Sequence, residues 1–129
     1  MNIQALDHIV LVVADTDATC AFYETVLGLQ PVWNLNGKRA LKFGQSKINL
    51  QVQGSVPSIA SRTTRGSANF CLVTATPIDD VIAHLKACEV EIIAGPDLRE
   101  GAIGRLLSVY FYDIDGNLVE VANRLDSQQ

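Results

Sequence analysis

An internal repeat is the feature of this sequence that most constrains its fold. Residues 8–14 and 69–75 are two apolar runs of strand character, and each leads into a helix-start signal. The repeat period is about 60 residues, which exceeds the roughly 20 to 50 residues of a solenoid unit. The repeat therefore predicts two fused, pseudo-duplicated modules.

Each apolar run is followed by the signals of a helix. In the first module, Asp15 or Asp17 can cap a helix that Gly28 stops. In the second module, we expect Thr76 as the N-cap and Pro77 as the first helical residue, where the missing N–H costs nothing. The expected core-facing stripes are Ala18, Phe22 and Val26 on the first helix and Ile78, Val81, Ile82 and Leu85 on the second.

The later part of each module predicts a β-hairpin. Residues 43–52 (FGQSKINLQV) align with residues 112–121 (YDIDGNLVEV), and each stretch contains a strand end, a polar turn and a second strand. A further short strand fits at 30–34 and at 91–95. Each module is therefore a βαβββ unit, and the predicted fold class is α+β.

Composition and charge bound the domain count and exclude several function classes. We expect one domain over 1–129, with module one at about 1–54, a linker at 55–66 and module two at about 67–124. Hydrophobic residues make up 48% of the chain, which excludes disorder. No apolar run approaches the roughly 20 residues of a membrane span, and a net charge of -4 without a basic cluster argues against a nucleic-acid partner.

The cellular compartment is inferred from the N-terminus and the cysteines. The first residues lack the basic and apolar regions of a secretory signal. Cys20, Cys71 and Cys88 are far apart and odd in number, which is typical of neither a disulfide framework nor a zinc knuckle. We therefore expect a cytoplasmic protein that binds neither nucleic acid nor membranes.

Strand alternation places polar groups at matching positions of the two modules. Gln51 and Glu120 are each flanked by aliphatic residues, and because the helices must cover the apolar face, both side chains should point to the opposite face. His8 and Asn69 are the matching pair in the first strand of each module. If the two sheets close around a common cavity, these four side chains converge there.

Aromatic and cationic residues of the second module extend this candidate site. Tyr110 and Tyr112 share a strand face, and the hairpin brings them near Glu120. The glycine-rich stretch 95–108 carries Arg99 and Arg105. Two interpretations of this stretch stay open: a mobile surface connection, or a lid that supplies cations to an anionic substrate.

Two segments carry a resemblance to a known family: LDHIVLVVADTDATCAFYETVLGL and SVYFYDIDGNLVEVAN. They resemble the vicinal-oxygen-chelate superfamily of glyoxalase I, fosfomycin and bleomycin resistance proteins and extradiol dioxygenases, and are most similar to its small members of the glyoxalase domain-containing protein 5 type. The resemblance implies two βαβββ modules that form a cupped mixed sheet around a central cavity. It also implies a homodimer, a small-molecule substrate, and a divalent metal (Ni, Zn, Mn or Mg) at His8, Gln51, Asn69 and Glu120.

Departures from the family pattern shape the functional hypotheses. Amides stand at Gln51 and Asn69, where metal-dependent members supply His or Glu, and the missing imidazole at Asn69 argues against an iron dioxygenase. Glu120 is then the single candidate carboxylate for proton transfer in a glyoxalase-type reaction. For fosfomycin-type thiol transfer, the resemblance implies Tyr110 as an anion-binding residue, but the expected lysine falls near Glu100.

Three functional hypotheses follow. The leading one is a glyoxalase-like, metal-dependent lyase, isomerase or thiol transferase that acts on a small oxygenated substrate, with Glu120 as the catalytic residue and Tyr110, Tyr112, Arg99 and Arg105 as substrate-binding residues. The alternative is a metal-free protein that sequesters a small molecule, as bleomycin resistance proteins do. The third is a dimeric interaction module whose cavity has lost its role.

Overall fold

The computed structural model describes residues 1–54 and 60–125, and it divides the chain into two compact units, Met1–Ser67 and Ala68–Gln129. Both units have the element order βαβββ, which confirms the predicted α+β class and the duplication. Part of the predicted linker, residues 55–59, lies outside the described residues.

The first unit contains a four-stranded mixed sheet with one helix. Its strand order is β1-β4-β3-β2, with β1 parallel to β4 and the other neighbours antiparallel. The bounds are β1 His8–Val13, α1 Thr16–Leu27, β2 Gln30–Trp33, β3 Arg39–Phe43 and β4 Ser46–Val52.

The second unit has the same plan. Its strand order is β5-β8-β7-β6, with β5 parallel to β8 and the other neighbours antiparallel. The bounds are β5 Asn69–Val73, α2 Ile78–Ala87, β6 Ala94–Gly101, β7 Gly104–Tyr112 and β8 Leu118–Arg124.

The predicted helix ends are confirmed in the first unit, whereas the predicted N-cap of the second unit is not. The Asp15 side chain accepts a hydrogen bond from the Ala18 N–H at 3.1 Å, and Gly28 ends the helix in the left-handed conformation at φ 71°. The prediction for Thr76 was wrong, because Pro77 has an extended ψ of 141° and is itself the N-cap, without a side-chain cap. Within the described residues, neither helix is long and apolar enough to cross a membrane.

Each helix packs on the apolar face of its own sheet. In the stripe predicted for α2, Ile78, Val81 and Leu85 are buried and Ile82 is half-buried. In the stripe predicted for α1, Val26 is buried, but Ala18 is exposed and Phe22 is half-buried. The larger Tyr23, which is fully buried, sets the face of α1 instead, and the residues it buries are Thr19, Cys20, Tyr23 and Val26.

Strand alternation is confirmed in both hairpins. Ile48 and Leu50 are buried in the first unit, and Val119 and Val121 in the second, while the residues between them are more exposed. Burying one such aliphatic side chain stabilises the fold by about 1.5–3 kcal/mol. The packing of these faces therefore decides which face carries the polar groups.

The stretch 95–108 forms two paired strands rather than a loose connection. Strand β6 starts at Ala94 and pairs with β7 up to the turn between Gly101 and Gly104, so the short strand predicted at 91–95 was placed too early. Gly95 permits this pairing, because a Cβ atom there would collide with the carbonyl oxygen of Ser108. Arg99 and Arg105 consequently lie on paired strands.

Candidate functional site

A hydrogen-bonded turn positions the start of β8. One carboxylate oxygen of Asp113 accepts hydrogen bonds from the backbone N–H groups of Asp115 and Asn117, each at 2.9 Å, and the other accepts from the Asn117 side-chain amide at 2.9 Å. The Asn117 side-chain oxygen in turn accepts from the Ala68 N–H at 3.0 Å. Asp113 and Asn117 are both buried. This turn therefore ties β8 to the start of β5, and Glu120 follows as the third residue of β8.

Three side chains form one row across the second sheet. Glu120 pairs with Cys71 of β5 on one side and with Tyr110 of β7 on the other. Paired residues of neighbouring strands point to the same face, at a spacing of about 4.8 Å. Glu120 is thus flanked by a thiol and a phenol on the face opposite the buried Val119 and Val121.

These groups form a chain of hydrogen bonds. The Arg99 Nε–H donates to the Tyr110 hydroxyl at 2.9 Å, and the guanidinium lies 5.5 Å from the centre of the Tyr110 ring. The Tyr110 hydroxyl and the Cys71 thiol each form a hydrogen bond with the Glu120 carboxylate. Arg99 therefore orients Tyr110, and Tyr110 and Cys71 present protons to Glu120.

The charges in this chain shift the pKa values of its members. Although Cys71 is exposed as a residue, neighbouring atoms shield its thiol, and this desolvation together with the Glu120 charge raises its pKa to about 11. Desolvation and Glu120 also raise the pKa of Tyr110, against the opposing effect of the hydrogen bond from Arg99. At neutral pH both groups are therefore protonated and can donate hydrogen bonds.

A cavity of about 330 Å³ opens above this row. Its volume is at the lower end of the roughly 300–1,000 Å³ typical of small-molecule sites. Its charged and polar lining residues are two glutamates, two arginines, a tyrosine and a cysteine, so it can bind a small, oxygen-rich molecule. The lining residues are Cys71, Val73, Arg99, Glu100, Gly101, Ala102, Leu106, Tyr110, Glu120 and Arg124.

Three other predicted site residues of the second unit lie outside this cavity lining. Asn69 is on the Cys71 face of β5, two residues from Cys71 and paired with Leu118. Tyr112 also pairs with Leu118 and is exposed. Arg105 alternates with Leu106, so it points to the opposite face of the sheet. The site roles of these three residues stay predictions, and for Arg105 the strand direction does not support one.

The two candidates of the first unit lie at opposite ends of one sheet face. His8 pairs with Lys47, whereas Gln51 pairs with Val12. This separation of four residues corresponds to about 13 Å along the strand. His8 and Gln51 therefore share a face without approaching each other.

The register also corrects the predicted equivalence of Gln51 and Glu120. His8 and Asn69 are matching residues, with partners Lys47 and Leu118, so the residue that matches Glu120 is Asn49. The sequence alignment set these two strands 69 residues apart, whereas the pairing of β1 with β4 and of β5 with β8 sets them 71 residues apart, a difference of two residues. A shift of two keeps the same face, so strand alternation alone could not detect the error.

The Asn49 position is occupied by a hydrogen-bond network that sequence reasoning missed. The Lys47 ammonium donates to the side-chain oxygen of Asn34 at 2.7 Å, and the Asn34 amide donates to the side-chain oxygen of Asn49 at 3.0 Å. Lys47 and Asn49 lie on β4 and Asn34 lies in the turn between β2 and β3, so no local sequence pattern identifies the network.

His8 has a carboxylate neighbour. Its Nδ1 lies 2.8 Å from Asp7 Oδ2, and this hydrogen bond lowers the pKa of Asp7. A carboxylate that accepts from Nδ1–H leaves the Nε2 lone pair available, which is the usual arrangement of metal-binding and proton-accepting histidines. The His8 side chain is 46% exposed, so that nitrogen is accessible.

The side chains of each unit that could bind a divalent metal are few. Among residues 1–54 and 60–125, no group of three or more His, Cys, Asp or Glu residues comes together. The strongest metal donor on the polar face of the first unit is His8, and in the second unit it is Glu120, which has Arg99 nearby. Neither unit by itself therefore fits a resident divalent ion, which needs at least three strong ligands.

Cys71 and Arg124 are among the cavity residues that the sequence analysis missed. Cys71 could have been found by alternation, since it lies two residues after Asn69 on the same face. Arg124 lies four residues after Glu120 and is on the Glu120 face by the same rule. In both cases the periodicity signal was present, but it did not distinguish a cavity from an exposed sheet surface.

A duplicated βαβββ plan with a carboxylate at a sheet-face cavity is the architecture of glyoxalase-type proteins. The chain belongs to the glyoxalase/bleomycin resistance protein/dioxygenase superfamily, whose family model matches residues 5–121. This membership confirms the resemblance seen in the two sequence segments.

Similar proteins share this fold over nearly the whole chain. Virulence protein STM3117 of Salmonella typhimurium is 44% identical over 123 residues, covering 95% of this chain and 85% of the relative. Its crystal structure matches with a TM-score of 0.93 over 97% of this chain and 100% of that chain, at 43% identity.

Two more distant solved structures are those of a lyase and of an antibiotic resistance protein. Lactoylglutathione lyase from Agrobacterium tumefaciens is 28% identical, with a TM-score of 0.72 over 95% of each chain. The fosfomycin resistance protein FosX from Listeria monocytogenes, solved with Mn(II) and sulfate, is 22% identical, with a TM-score of 0.67 over 96% of this chain and 93% of that chain. At 22% identity, the likeness to FosX shows the fold alone.

Proposed function

We propose that this chain is a glyoxalase-like lyase, isomerase or thiol transferase that acts on a small oxygenated substrate in the Glu120 cavity. The observation that carries the proposal is the placement of Glu120 between two proton donors, Tyr110 and Cys71, at the cavity. Membership of a superfamily that includes a lactoylglutathione lyase at 28% identity supports the same class of chemistry.

The geometry supports proton transfer by Glu120. A carbonyl oxygen of a substrate in the cavity can accept hydrogen bonds from Tyr110 and from the Arg99 guanidinium, and these bonds make the C–H group next to the carbonyl more acidic. Glu120 then accepts the proton of that C–H group, and the electron pair of the bond moves onto the carbonyl oxygen. Glu120 returns the proton to the former carbonyl carbon. A positioned general base of this kind contributes roughly 10²–10⁴-fold to a rate.

The metal remains a separate part of the proposal. The family resemblance implies a divalent ion, Ni, Zn, Mn or Mg, with His8 and Glu120 as ligands and Gln51 and Asn69 as weaker donors. The Asp7–His8 hydrogen bond supports His8 as a ligand, whereas the donor set of each unit taken singly does not fit an ion. When bound, the metal would act as a Lewis acid on substrate oxygens.

A second candidate function is metal-free sequestration of a small molecule. The observation that favours it is the Lys47–Asn34–Asn49 network, because an amide stands where the first unit would need a second carboxylate matching Glu120. A cavity without that matching carboxylate can bind an oxygenated ligand without transforming it.

The test measures turnover of one thiol adduct, the hemithioacetal of methylglyoxal and glutathione. Wild type is assayed after chelation and after addition of Ni²⁺, Zn²⁺, Mn²⁺ or Mg²⁺. We expect Glu120→Gln to lower kcat by roughly 10²-fold or more, while Glu91→Gln, the same change at an exposed residue, leaves it unchanged. Equal activity of the two variants would refute the role of Glu120.

The metal and the sequestration alternative are resolved by the same samples. If the metal proposal is right, His8→Ala and Glu120→Gln should each weaken metal binding measured by calorimetry. If the adduct binds but no ion produces turnover, the sequestration function replaces the enzymatic one.

A homodimer and a cytoplasmic location complete the proposal. Cys20, Cys71 and Cys88 are all free thiols, which is compatible with a reducing compartment. Light scattering on the purified chain tests the dimer, and a monomer mass would contradict it.

A further inference from the structure

A second cation, Arg124, lies at the cavity and has no part in the mechanism above. Arg99 and Arg124 both pair with Leu106 of β7, one from each neighbouring strand. Paired residues share a sheet face, so the two arginines flank Leu106 on the Glu120 face, with Cα atoms about 10 Å apart, which is two strand spacings. Both residues line the cavity.

The two guanidinium groups have different surroundings. Arg99 donates hydrogen bonds to the Tyr110 hydroxyl, to the Leu98 carbonyl at 3.0 Å and to Asp97 at 3.3 Å. Arg124 lines the cavity, and its guanidinium has no hydrogen bond or ion pair with another residue in the described part of the chain. Arg99 is thus held in place by the protein, and Arg124 keeps its donors for a ligand.

The cavity is polarised along the strands. Glu120 and Arg124 lie on the same face of β8, four residues apart, which places their Cα atoms about 13 Å from each other. The Glu120 end presents a carboxylate with a phenol and a thiol, and the Arg99 guanidinium lies beside that phenol. The other end presents the Arg124 guanidinium, and Glu100 also lines the cavity. A bound molecule therefore meets the proton acceptor and Arg99 at one end and Arg124 at the other.

We propose that Arg124, supported by Arg99, binds the anionic group of the ligand, and that the ligand is a small carboxylate with a hydroxyl or carbonyl oxygen on the neighbouring carbon. The carboxylate pairs with the planar guanidinium fork, which matches two oxygens at once. The neighbouring oxygen and its carbon then face Tyr110 and Glu120. This assignment rests on the proposed function and specifies its substrate class.

The test compares two probes that differ in charge, lactate and its neutral analogue lactamide. Binding to the full chain is followed by the NMR shifts of its amide groups. For lactate, we expect Arg124→Gln to raise Kd roughly tenfold or more, because a hydrogen bond to a charged group is removed. For lactamide, the same variant should change Kd by less than about twofold, since no ion pair is lost.

Arg105→Gln is the matched control. It removes the same charge from the same sheet but from the opposite face, so it corrects for the effect of net charge. Thermal midpoints of both variants show whether either one loosens the fold. Lactate binding that responds equally to Arg124→Gln and Arg105→Gln would overturn the assignment of Arg124.

Lactate binding and hemithioacetal turnover test the Arg124 site and the proposed function separately. If wild type binds no lactate but Glu120-dependent turnover of the hemithioacetal persists, the ligand class assigned through Arg124 is wrong and the function stands. If lactate binds in an Arg124-dependent way while Glu120→Gln retains full turnover, the anion site stands and the catalytic role of Glu120 falls.

Discussion

The two sheets have one backbone plan but use their polar faces differently. At the centre of the first sheet, Lys47, Asn34 and Asn49 satisfy one another with hydrogen bonds of 2.7 and 3.0 Å. At the matching position of the second sheet, Glu120 faces a cavity. The two units therefore have equivalent backbones. Their side chains differ, so one sheet carries a hydrogen-bond network and the other carries the candidate site.

The turn that precedes the fourth strand also differs between the two units. In the first unit, the turn between β3 and β4 is the pair Gly44 and Gln45, with Gly44 in the left-handed conformation at φ 52°. In the second unit, the buried Asp113 organises a longer turn through three hydrogen bonds. The turn before the strand that carries Glu120 is thus organised by the Asp113 side chain, whereas the turn before its counterpart contains a glycine in the left-handed conformation.

Replacing Asp113 by Ala should give the largest change in stability. The substitution removes three hydrogen bonds and leaves buried donors on Asn117 unpaired, at a cost of about 3 kcal/mol. Urea unfolding measures the loss. Gln45→Ala, in the turn of the first unit, is the control and should change the free energy of unfolding by less than about 0.5 kcal/mol. Equal effects would mean that both turns depend on side chains to the same degree.

The reactivity of Cys71 tests whether the charge of Glu120 raises the pKa of the neighbouring thiol. With a pKa of about 11, the Cys71 thiol should react with iodoacetamide slowly at pH 8 and faster as the pH rises. Glu120→Gln removes the charge that disfavours the thiolate, so it should lower the pKa of Cys71 and speed labelling several-fold at pH 8.

Mass spectrometry of the labelled peptides follows the three cysteines separately. Cys88, whose Sγ lies 3.5 Å from His84 Nε2, is the internal reference because it is far from Glu120 in sequence and is not part of the cavity lining. If Glu120→Gln leaves the labelling rate of Cys71 unchanged, the carboxylate and the thiol do not interact.

The network of the first sheet should show the smallest effect. A double-mutant cycle on Asn34→Ala and Lys47→Met is expected to give a coupling energy of about 1 kcal/mol in urea unfolding, because one charge-assisted hydrogen bond is shared. Hemithioacetal turnover should be unchanged by Asn34→Ala, since this network belongs to the first unit. A large loss of turnover would assign the first sheet a chemical role as well.

Most of the fold was predictable because its signals are local or periodic. Alternation identified the buried faces around Leu50 and Val121, and the Asp15 and Gly28 signals bounded the first helix correctly. The errors arose where two segments had to meet. Thr76 looked like an N-cap until the extended ψ of Pro77 excluded it, and the stretch around Arg99 looked like a loop until β7 provided a pairing partner.

By itself, the sequence determined the duplicated βαβββ plan and the face that carries Glu120, because both follow from the period and order of apolar residues. The family was indicated separately, by the resemblance of two sequence segments. The tertiary structure decided which residues share that face at contact distance. It brought Cys71, Tyr110 and Arg99 to Glu120, turned Arg105 to the opposite face, and aligned Asn49 with Glu120. These outcomes depend on strand register, which is set by turn length and by pairing between distant segments, and a shift of two residues leaves no trace in the pattern along the chain.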